Sequence, residues 1–306
     1  MTRPLKVGVQ LPEVERVVRW PELLDMARAI EDLGYDSIWL GEHLLYRWPD
    51  RAPRGPWEAW ATMAGLAAVT SRVTIGPLVA CTAFHNPAIL AKRADTIDEI
   101  SGGRFVLGLG AGWNETEFRA FGVPFDHRIT RFEEAFTIIR SLLRDGAVDF
   151  AGTYYEARDC ELLPRGPRAS GPPLMIGSTG ERMLRITAPH VDSWNAWYSD
   201  TGNRAAGVAP LRQKVDAACD EVGRDRAAIE RTVAVQVRLP GGKGRTMGDT
   251  SVAESAPPLE GSVESMAEEL RAYAREGIGE VQLVLDPIDR SSIERFAGVL
   301  RILEGG

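Results

Sequence analysis

An acid and an imidazole stand next to each other at Glu42 and His43, shortly after an apolar run at residues 37–40. An imidazole changes its charge near neutral pH, and a neighbouring carboxylate can orient the proton that it carries. The pair therefore predicts proton transfer to or from a bound ligand. A structural interpretation stays open, in which Glu42 binds loop amides and His43 is a packed histidine.

A turn of small residues, Gly177, Ser178, Thr179 and Gly180, forms the second candidate site. It follows the apolar run 173–177 and opens an amphipathic segment, so free N–H groups and the positive end of a helix dipole would face outward. This arrangement predicts a phosphate-binding turn. A simple helix cap by Ser178 or Thr179 is the alternative.

Three glycines at alternate positions, Gly108, Gly110 and Gly112, occur at the end of another apolar run. Residues without a Cβ would let a flat ligand approach the backbone closely, although tight packing at a sheet edge also needs small residues. The spacing differs from the dinucleotide-binding pattern G-x-G-x-x-G. Five further side chains after predicted strands could line a pocket or simply pack: Trp48, Phe84, His85, Trp113 and Trp197.

The composition limits the kind of partner. The chain has 306 residues, of which 44% are hydrophobic, and a net charge of −7, which argues against nucleic acid or an anionic membrane as a partner. The three cysteines are widely spaced and there is no His-x-His pair, so we predict neither a disulfide framework nor a metal site. No stretch has the length of a membrane span. These features predict a cytoplasmic protein that acts on a small molecule.

Short apolar runs alternate with amphipathic segments along the chain. The runs are 6–11, 37–40, 73–80, 104–109, 173–177, 191–197, 233–239 and 280–285. Unbroken apolarity is typical of strands buried on both faces, as in a parallel sheet. The alternation predicts an α/β fold, a (β/α)8 TIM barrel that forms a single domain over residues 1–306. An open, doubly wound sheet is the alternative.

Two stretches interrupt this alternation and predict insertions after strands 4 and 7 of the barrel. Residues 147–164 contain aromatic side chains around a glycine turn, which indicates a small hairpin. Residues 240–258 are rich in Gly, Ser and Pro and predict a long, mobile loop that could cover an active site. The candidate residues above follow predicted strands, so a barrel would bring them to its C-terminal rim.

Several longer motifs carry a family resemblance. They are LGYDSIWLGEH at 33–43, NPAILAK at 86–92, SGGRFVLGLGAGWNE at 101–115, RITRFEE at 128–134, PHVDSWN at 189–195 and AREGIGEVQL at 274–283. In this order they resemble the bacterial luciferase-like monooxygenase superfamily, and most closely its branch of deazaflavin (coenzyme F420)-dependent oxidoreductases. The resemblance covers residues 7 to about 303 without 240–258. It is specific to the superfamily but not to a substrate.

The resemblance implies a barrel that binds a flavin or deazaflavin across its C-terminal mouth. Glu42 and His43 would lie beside the ring and the substrate, although relatives often have Asp at the first of these positions. A non-proline cis peptide bond between Leu78 and Val79 would lie behind the ring. Asn114 would contact the ring through its amide.

The resemblance also bears on the phosphate and the substrate. Residues 177–180 match the phosphate-binding turn of the superfamily. Some sugar-phosphate dehydrogenases of the F420 branch carry a glutamate general acid where this chain has Trp113. This departure argues against glucose 6-phosphate as the substrate.

These considerations favour an oxidoreductase that transfers a hydride between coenzyme F420 and a small organic substrate. His43, supported by Glu42, would move the accompanying proton. The first alternative is an FMN-dependent luciferase-like monooxygenase that uses reduced flavin and molecular oxygen. The second is a barrel that binds flavin without turnover. Relatives are commonly homodimers, so a homodimer is expected here.

Overall fold

The fold is described from a computed structural model, which covers residues 3–247, 250–251 and 255–305. The strands are β1 Lys6–Gln10, β2 Ser37–Leu40, β3 Thr74–Pro77, β4 Ala80–Cys81, β5 Leu107–Gly110, β6 Ala147–Ala151, β7 Glu156–Glu161, β8 Leu174–Gly177, β9 Ser193–Ala196, β10 Glu230–Arg238, β11 Thr246–Met247, β12 Thr250–Ser251 and β13 Glu280–Asp286. The helices are α1 Trp20–Asp32, α2 Ala59–Val69, α3 Pro87–Ser101, α4 Glu115–Ala120, α5 Arg128–Asp145, α6 Glu181–Thr187, α7 Val208–Glu221, α8 Val263–Arg275 and α9 Arg290–Glu304. Within these ranges, no helix is both long and apolar enough to cross a membrane.

The main sheet is a closed parallel barrel. Its strands follow the order β3-β2-β1-β13-β10-β9-β8-β5-β4. The segments β3 and β4 occupy one barrel position and are separated by Leu78 and Val79, whose peptide bond is cis. A parallel bridge between Ile75 and Phe105 closes the ring. The predicted (β/α)8 barrel is thereby confirmed, and all its strands end at one rim because they run parallel.

Both predicted insertions lie where the sequence places them. After α5, strands β6 and β7 pair as an antiparallel hairpin. After β10, strands β11 and β12 pair antiparallel, so the segment 240–258 contains a small two-stranded unit instead of a loop without secondary structure. Residues 248–249 and 252–254 lie outside the described residues. Within the same segment, the Arg245 side chain is buried and bound to carboxylates, as shown below.

Small residues let large side chains fill the interior of the barrel. A Cβ at Gly76 would lie 2.8 Å from the indole of Trp39, which packs in a cluster with Leu78 and Met175. Val79 packs against this cluster. A Cβ at Gly108, Gly110 or Gly177 would lie 2.8–3.0 Å from its methyl groups. These three glycines therefore make room for Val79, which agrees with the packing alternative given above for Gly108 and Gly110.

We expect Gly108→Ala to lower the stability of the fold. The new Cβ would lie 2.2 Å from the backbone oxygen of Pro77, an atom that cannot turn away as a flexible side chain can. Overpacking of this kind costs about 1–3 kcal/mol of unfolding free energy. Thermal unfolding followed by circular dichroism should show a lower Tm.

Gly180→Ala is the matched control for this prediction. Gly180 has a φ of −79°, and the nearest neighbour of a new Cβ, Ser178 Oγ, would be 3.7 Å away. This variant should keep the Tm of the unmodified protein. If Gly108→Ala also kept it, the close packing described at Pro77 would be wrong.

Candidate active site

A cavity of 550 Å³ opens at the C-terminal rim of the barrel. This volume lies within the range of about 300–1,000 Å³ that is usual for small-molecule sites. Nine of the predicted site residues line it: Glu42, His43, Leu78, Val79, Gly177, Ser178, Thr179, Trp113 and Trp197. Side chains that are far apart in the sequence therefore meet around one space.

The other predicted site residues lie beside or behind this cavity. Asn114 donates its side-chain N–H to the carbonyl of Leu45 at 3.1 Å. The Phe84 ring packs on that of Phe118, with 5.0 Å between the centroids. Trp48 stacks on Tyr46, and His85 binds Glu42. Gly180 directly precedes α6. Contact of these five residues with a ligand stays a prediction.

Glu42 is held by groups other than His43. Its Oε1 accepts hydrogen bonds from Trp60 Nε1 at 2.7 Å and from His85 Nε2 at 2.8 Å. Its Oε2 accepts the backbone N–H of Cys81 at 2.7 Å. These three donors hold both oxygens of the carboxyl group in place, and the bond from Cys81 fixes the backbone just after the Leu78–Val79 bond. The expectation that Glu42 orients His43 is therefore wrong in this geometry.

The tautomer of His85 follows from its second neighbour. Arg93 Nη1 lies 3.1 Å from His85 Nδ1. A guanidinium can only donate, so Nδ1 is the acceptor and Nε2 carries the hydrogen that is given to Glu42. His85 is thus a positioning residue for Glu42.

His43 is enclosed by two carboxylates that the sequence analysis did not identify. Its Nδ1 lies 2.9 Å from Glu117 Oε1, and its Nε2 lies 3.5 Å from Glu13 Oε1. Because each ring nitrogen faces an acceptor, the geometry favours the imidazolium form. Burial lowers the pKa of His43, but the Coulombic attraction of Glu13 and the hydrogen bond to Glu117 outweigh it and raise the pKa above its ordinary value of 6.5.

Glu117 also fixes the loop that follows His43. Its Oε2 accepts the backbone N–H groups of Leu44 at 2.8 Å and Leu45 at 3.4 Å. Glu117 lies on the buried face of the short helix α4, beside Phe118. A carboxylate next to a core aromatic residue, two positions after a motif quoted above, is the signal that could have indicated it.

Glu13 links the loop after β1 to the loop after β10. Its Oε2 accepts hydrogen bonds from Gln10 Nε2 at 2.8 Å and from Arg245 Nη2 at 2.9 Å. Arg245 also pairs with Glu15 at 3.0 Å, and its guanidinium lies 5.5 Å from the centre of the Trp197 ring. Arg245 therefore contacts two residues that line the cavity.

Arg128 brings a positive charge to the cavity. Its Nη1 donates to the carbonyl of Gly112, and its guanidinium lies over the Phe125 ring at 4.2 Å from the centroid. Among the residues that the structure describes, no carboxylate forms an ion pair with it. Ser178 and Thr179 line the same cavity. This combination is suited to an anionic group.

We expect His43→Asn to destabilise the protein most at low pH. Because the pKa of His43 is raised on folding, its ion pairs contribute fully below pH 6.5, and this contribution is lost as the pH rises through the higher value of the folded state. Hydrogen bonds to charged groups contribute about 1.5–3 kcal/mol. The Tm difference from the unmodified protein should therefore be largest near pH 5 and should shrink towards pH 9.

His127→Asn serves as the control because its imidazole is largely exposed, at 63%. The Tm difference of this variant at each pH is the reference against which that of His43→Asn is compared. A pH-independent difference for His43→Asn would show that folding does not raise the pKa of His43.

Comparisons with known proteins agree with this architecture. A model of the luciferase-like monooxygenase family matches residues 6–239. The pyrimidine monooxygenase RutA of Cronobacter sakazakii is 36% identical over 173 residues, which are 55% of this chain and 50% of that protein. This chain thus spans about half the length of the relatives it matches.

Two solved structures show the same fold at low sequence identity. An F420-dependent secondary alcohol dehydrogenase, in complex with an F420–acetone adduct, has a TM-score of 0.79 at 20% identity and covers 98% of this chain and 99% of its own. The oxygenating constituent of 3,6-diketocamphane monooxygenase from Pseudomonas putida, in complex with FMN, has a TM-score of 0.74 at 14% identity. The match covers 97% of this chain and 96% of that chain. Both kinds of cofactor therefore occur on this architecture.

Proposed function

Because the chain belongs to the luciferase-like monooxygenase family, we propose that it is an FMN-dependent monooxygenase that oxygenates a small organic substrate. The observation that carries the proposal is that His43, Val79 and Arg128 line one cavity, and that Arg128 has no ion pair with a carboxylate in the part of the chain that the structure describes. The hydride transfer with F420 that the sequence analysis favoured is less well supported, because the relative at 36% identity is named a monooxygenase. The FMN alternative takes its place.

The residues of the cavity fit the two parts of FMN. Val79, packed against three glycines, presents a wall without polar side chains, which suits one face of a flat ring. Arg128 supplies the positive charge for a phosphate, and Ser178 and Thr179 supply polar groups in the same cavity. The Ser178 carbonyl accepts the indole N–H of Trp194 at 2.7 Å, which fixes the turn.

The chain's own side chains would control protons and water around the ring. When bound and reduced, the flavin supplies the electrons that activate molecular oxygen. His43 holds a transferable proton at Nε2, while its bond from Nδ1 to Glu117 fixes the ring plane. Trp113 and Trp197 present indole surface to the cavity and reduce its access to water.

Competitive titration with FMN and F420, followed by turnover assays with each reduced cofactor, tests the proposal. We expect FMN to bind more tightly, and reduced FMN to support oxygen uptake that depends on an added organic substrate. Tighter binding of F420 with hydride transfer and no oxygenation would restore the first interpretation of the sequence. Flavin binding without turnover across a substrate panel would favour a non-catalytic barrel. The homodimeric state and the cytoplasmic location stay predictions.

A further inference from the structure

We propose that Glu13 and His43 form a paired hydrogen-bond acceptor and donor that binds the edge O=C–N–H of a planar cyclic amide. This inference rests on the proposed function, since it names the substrate class of the same cavity. It assigns Glu13, which neither the sequence motifs nor the family resemblance indicated, to substrate binding.

The acceptor is Glu13 Oε1. The side chain is buried, with 5% of its surface exposed, and it lines the cavity. Its other oxygen, Oε2, has two short hydrogen bonds, from Gln10 and Arg245. Within the described part of the chain, Oε1 has only two contacts, both long, with Tyr46 Oη at 3.4 Å and His43 Nε2 at 3.5 Å. A buried carboxylate oxygen without a short hydrogen bond has unused capacity, which an N–H group of a ligand would satisfy.

The donor is His43 Nε2. Because Nδ1 is bound to Glu117, the ring cannot turn away from Glu13 without losing that bond. Nε2 and Glu13 Oε1 thus present a donor and an acceptor next to each other, 3.5 Å apart. A cyclic amide carries the opposite pair on one edge: its carbonyl oxygen accepts from Nε2–H, and its N–H donates to Oε1. An amide nitrogen that carries a methyl group has no hydrogen for Glu13.

The surroundings of this pair favour a flat and neutral ligand. The Trp113 ring, 51% exposed, meets the His43 ring edge to face at a centroid distance of 5.6 Å and can cover a planar ring. The carboxylates of Glu13, Glu15 and Glu117 surround the His43 imidazolium and the Arg245 guanidinium, so negative charge is in excess in this cluster. This excess would repel a carboxylate ligand but not a neutral ring.

Calorimetric titration with matched compounds tests the proposal, in the protein with and without FMN. The probes are 2-pyridone, which has one amide edge, N-methyl-2-pyridone, which lacks the N–H, and benzoate, which is flat but anionic. We expect 2-pyridone to bind at least about ten-fold more tightly than either of the others, because a site built for an N–H group rejects analogues without it. Equal affinity for 2-pyridone and its N-methyl derivative would overturn the proposal without any mutation.

Two glutamate variants separate direct contact from the ion pairs around Arg245. Glu13→Gln and Glu15→Gln each remove one carboxylate from Arg245, but of these two residues Glu13 alone lines the cavity. In Glu13→Gln the amide oxygen would stay with the donors Gln10 and Arg245, and an NH2 group that cannot accept would replace Oε1, so the preference for 2-pyridone should disappear. In Glu15→Gln the preference should persist. An equal loss of the preference for 2-pyridone in both variants would assign the effect to Arg245 and overturn the proposal. A preference for 2-pyridone in a protein that fails to bind FMN would keep this inference and reject the proposed function.

Discussion

Replacing His43 with asparagine is expected to lower kcat of substrate oxygenation by about 10²–10⁴-fold, the usual contribution of a general acid or base. Asparagine can keep a hydrogen bond to Glu117 but carries no proton that titrates near neutral pH. FMN affinity should change by only a few fold, since Val79 and Arg128 are untouched. Steady-state kinetics and a fluorescence titration with FMN measure the two quantities separately.

Glu117→Gln tests the role of the His43 proton by changing the pKa of His43. Glutamine can accept a hydrogen bond from His43 Nδ1, but it removes a negative charge that raises the pKa of His43. The pH profile of kcat should therefore shift to lower pH while much of the maximal rate remains. An unchanged kcat in His43→Asn would remove His43 from the reaction. An unshifted pH profile of kcat in Glu117→Gln would show that the charge of Glu117 does not affect the pKa on which kcat depends.

Replacing Arg128 with methionine is expected to weaken FMN binding by roughly 10–150-fold. This range corresponds to the 1.5–3 kcal/mol of a hydrogen bond to a charged group, at about 1.4 kcal/mol for each factor of ten. Riboflavin, which lacks the phosphate, should bind the variant and the unmodified protein equally well. Quenching of flavin fluorescence measures both affinities without any need for turnover.

Arg131→Met is the matched control, because it removes an arginine one turn further along α5. Arg131 forms an ion pair with Asp126 at 3.0 Å and does not line the cavity. Its loss should leave the affinity for both flavins unchanged. If Arg128→Met weakened the binding of riboflavin as much as that of FMN, Arg128 would affect the shape of the cavity and would not bind a phosphate.

The barrel could be predicted from the sequence because strands buried on both faces leave a visible signal. The apolar run 37–40 coincides with β2, whereas β10 begins at Glu230, three residues before the predicted run 233–239. Those first residues pair in register with β9 near the N-terminal rim, Glu230 opposite Ser193. Polar side chains are tolerated at such an exposed end, so hydrophobicity alone does not mark the start of the strand.

The candidate site could be predicted only in part, since adjacency in the sequence does not establish contact. In an extended chain, successive side chains point to opposite sides. Glu42 accordingly faces Trp60 and His85, while His43 faces Glu13 and Glu117. The two partners of His43 lie 30 and 74 residues away in the sequence, one in the loop after β1 and the other in helix α4, and no local pattern connects them with His43.

The packing of Val79 against Gly108, Gly110 and Gly177 suggests how new specificities could be engineered. Because these four residues pack closely against one another, a library that varies them would yield many insoluble proteins. Trp113 comes from a connecting segment at the rim and is half exposed, so exchange is tolerated better there. Randomising the rim while leaving the interior unchanged should therefore give a high proportion of folded variants with altered substrate preference.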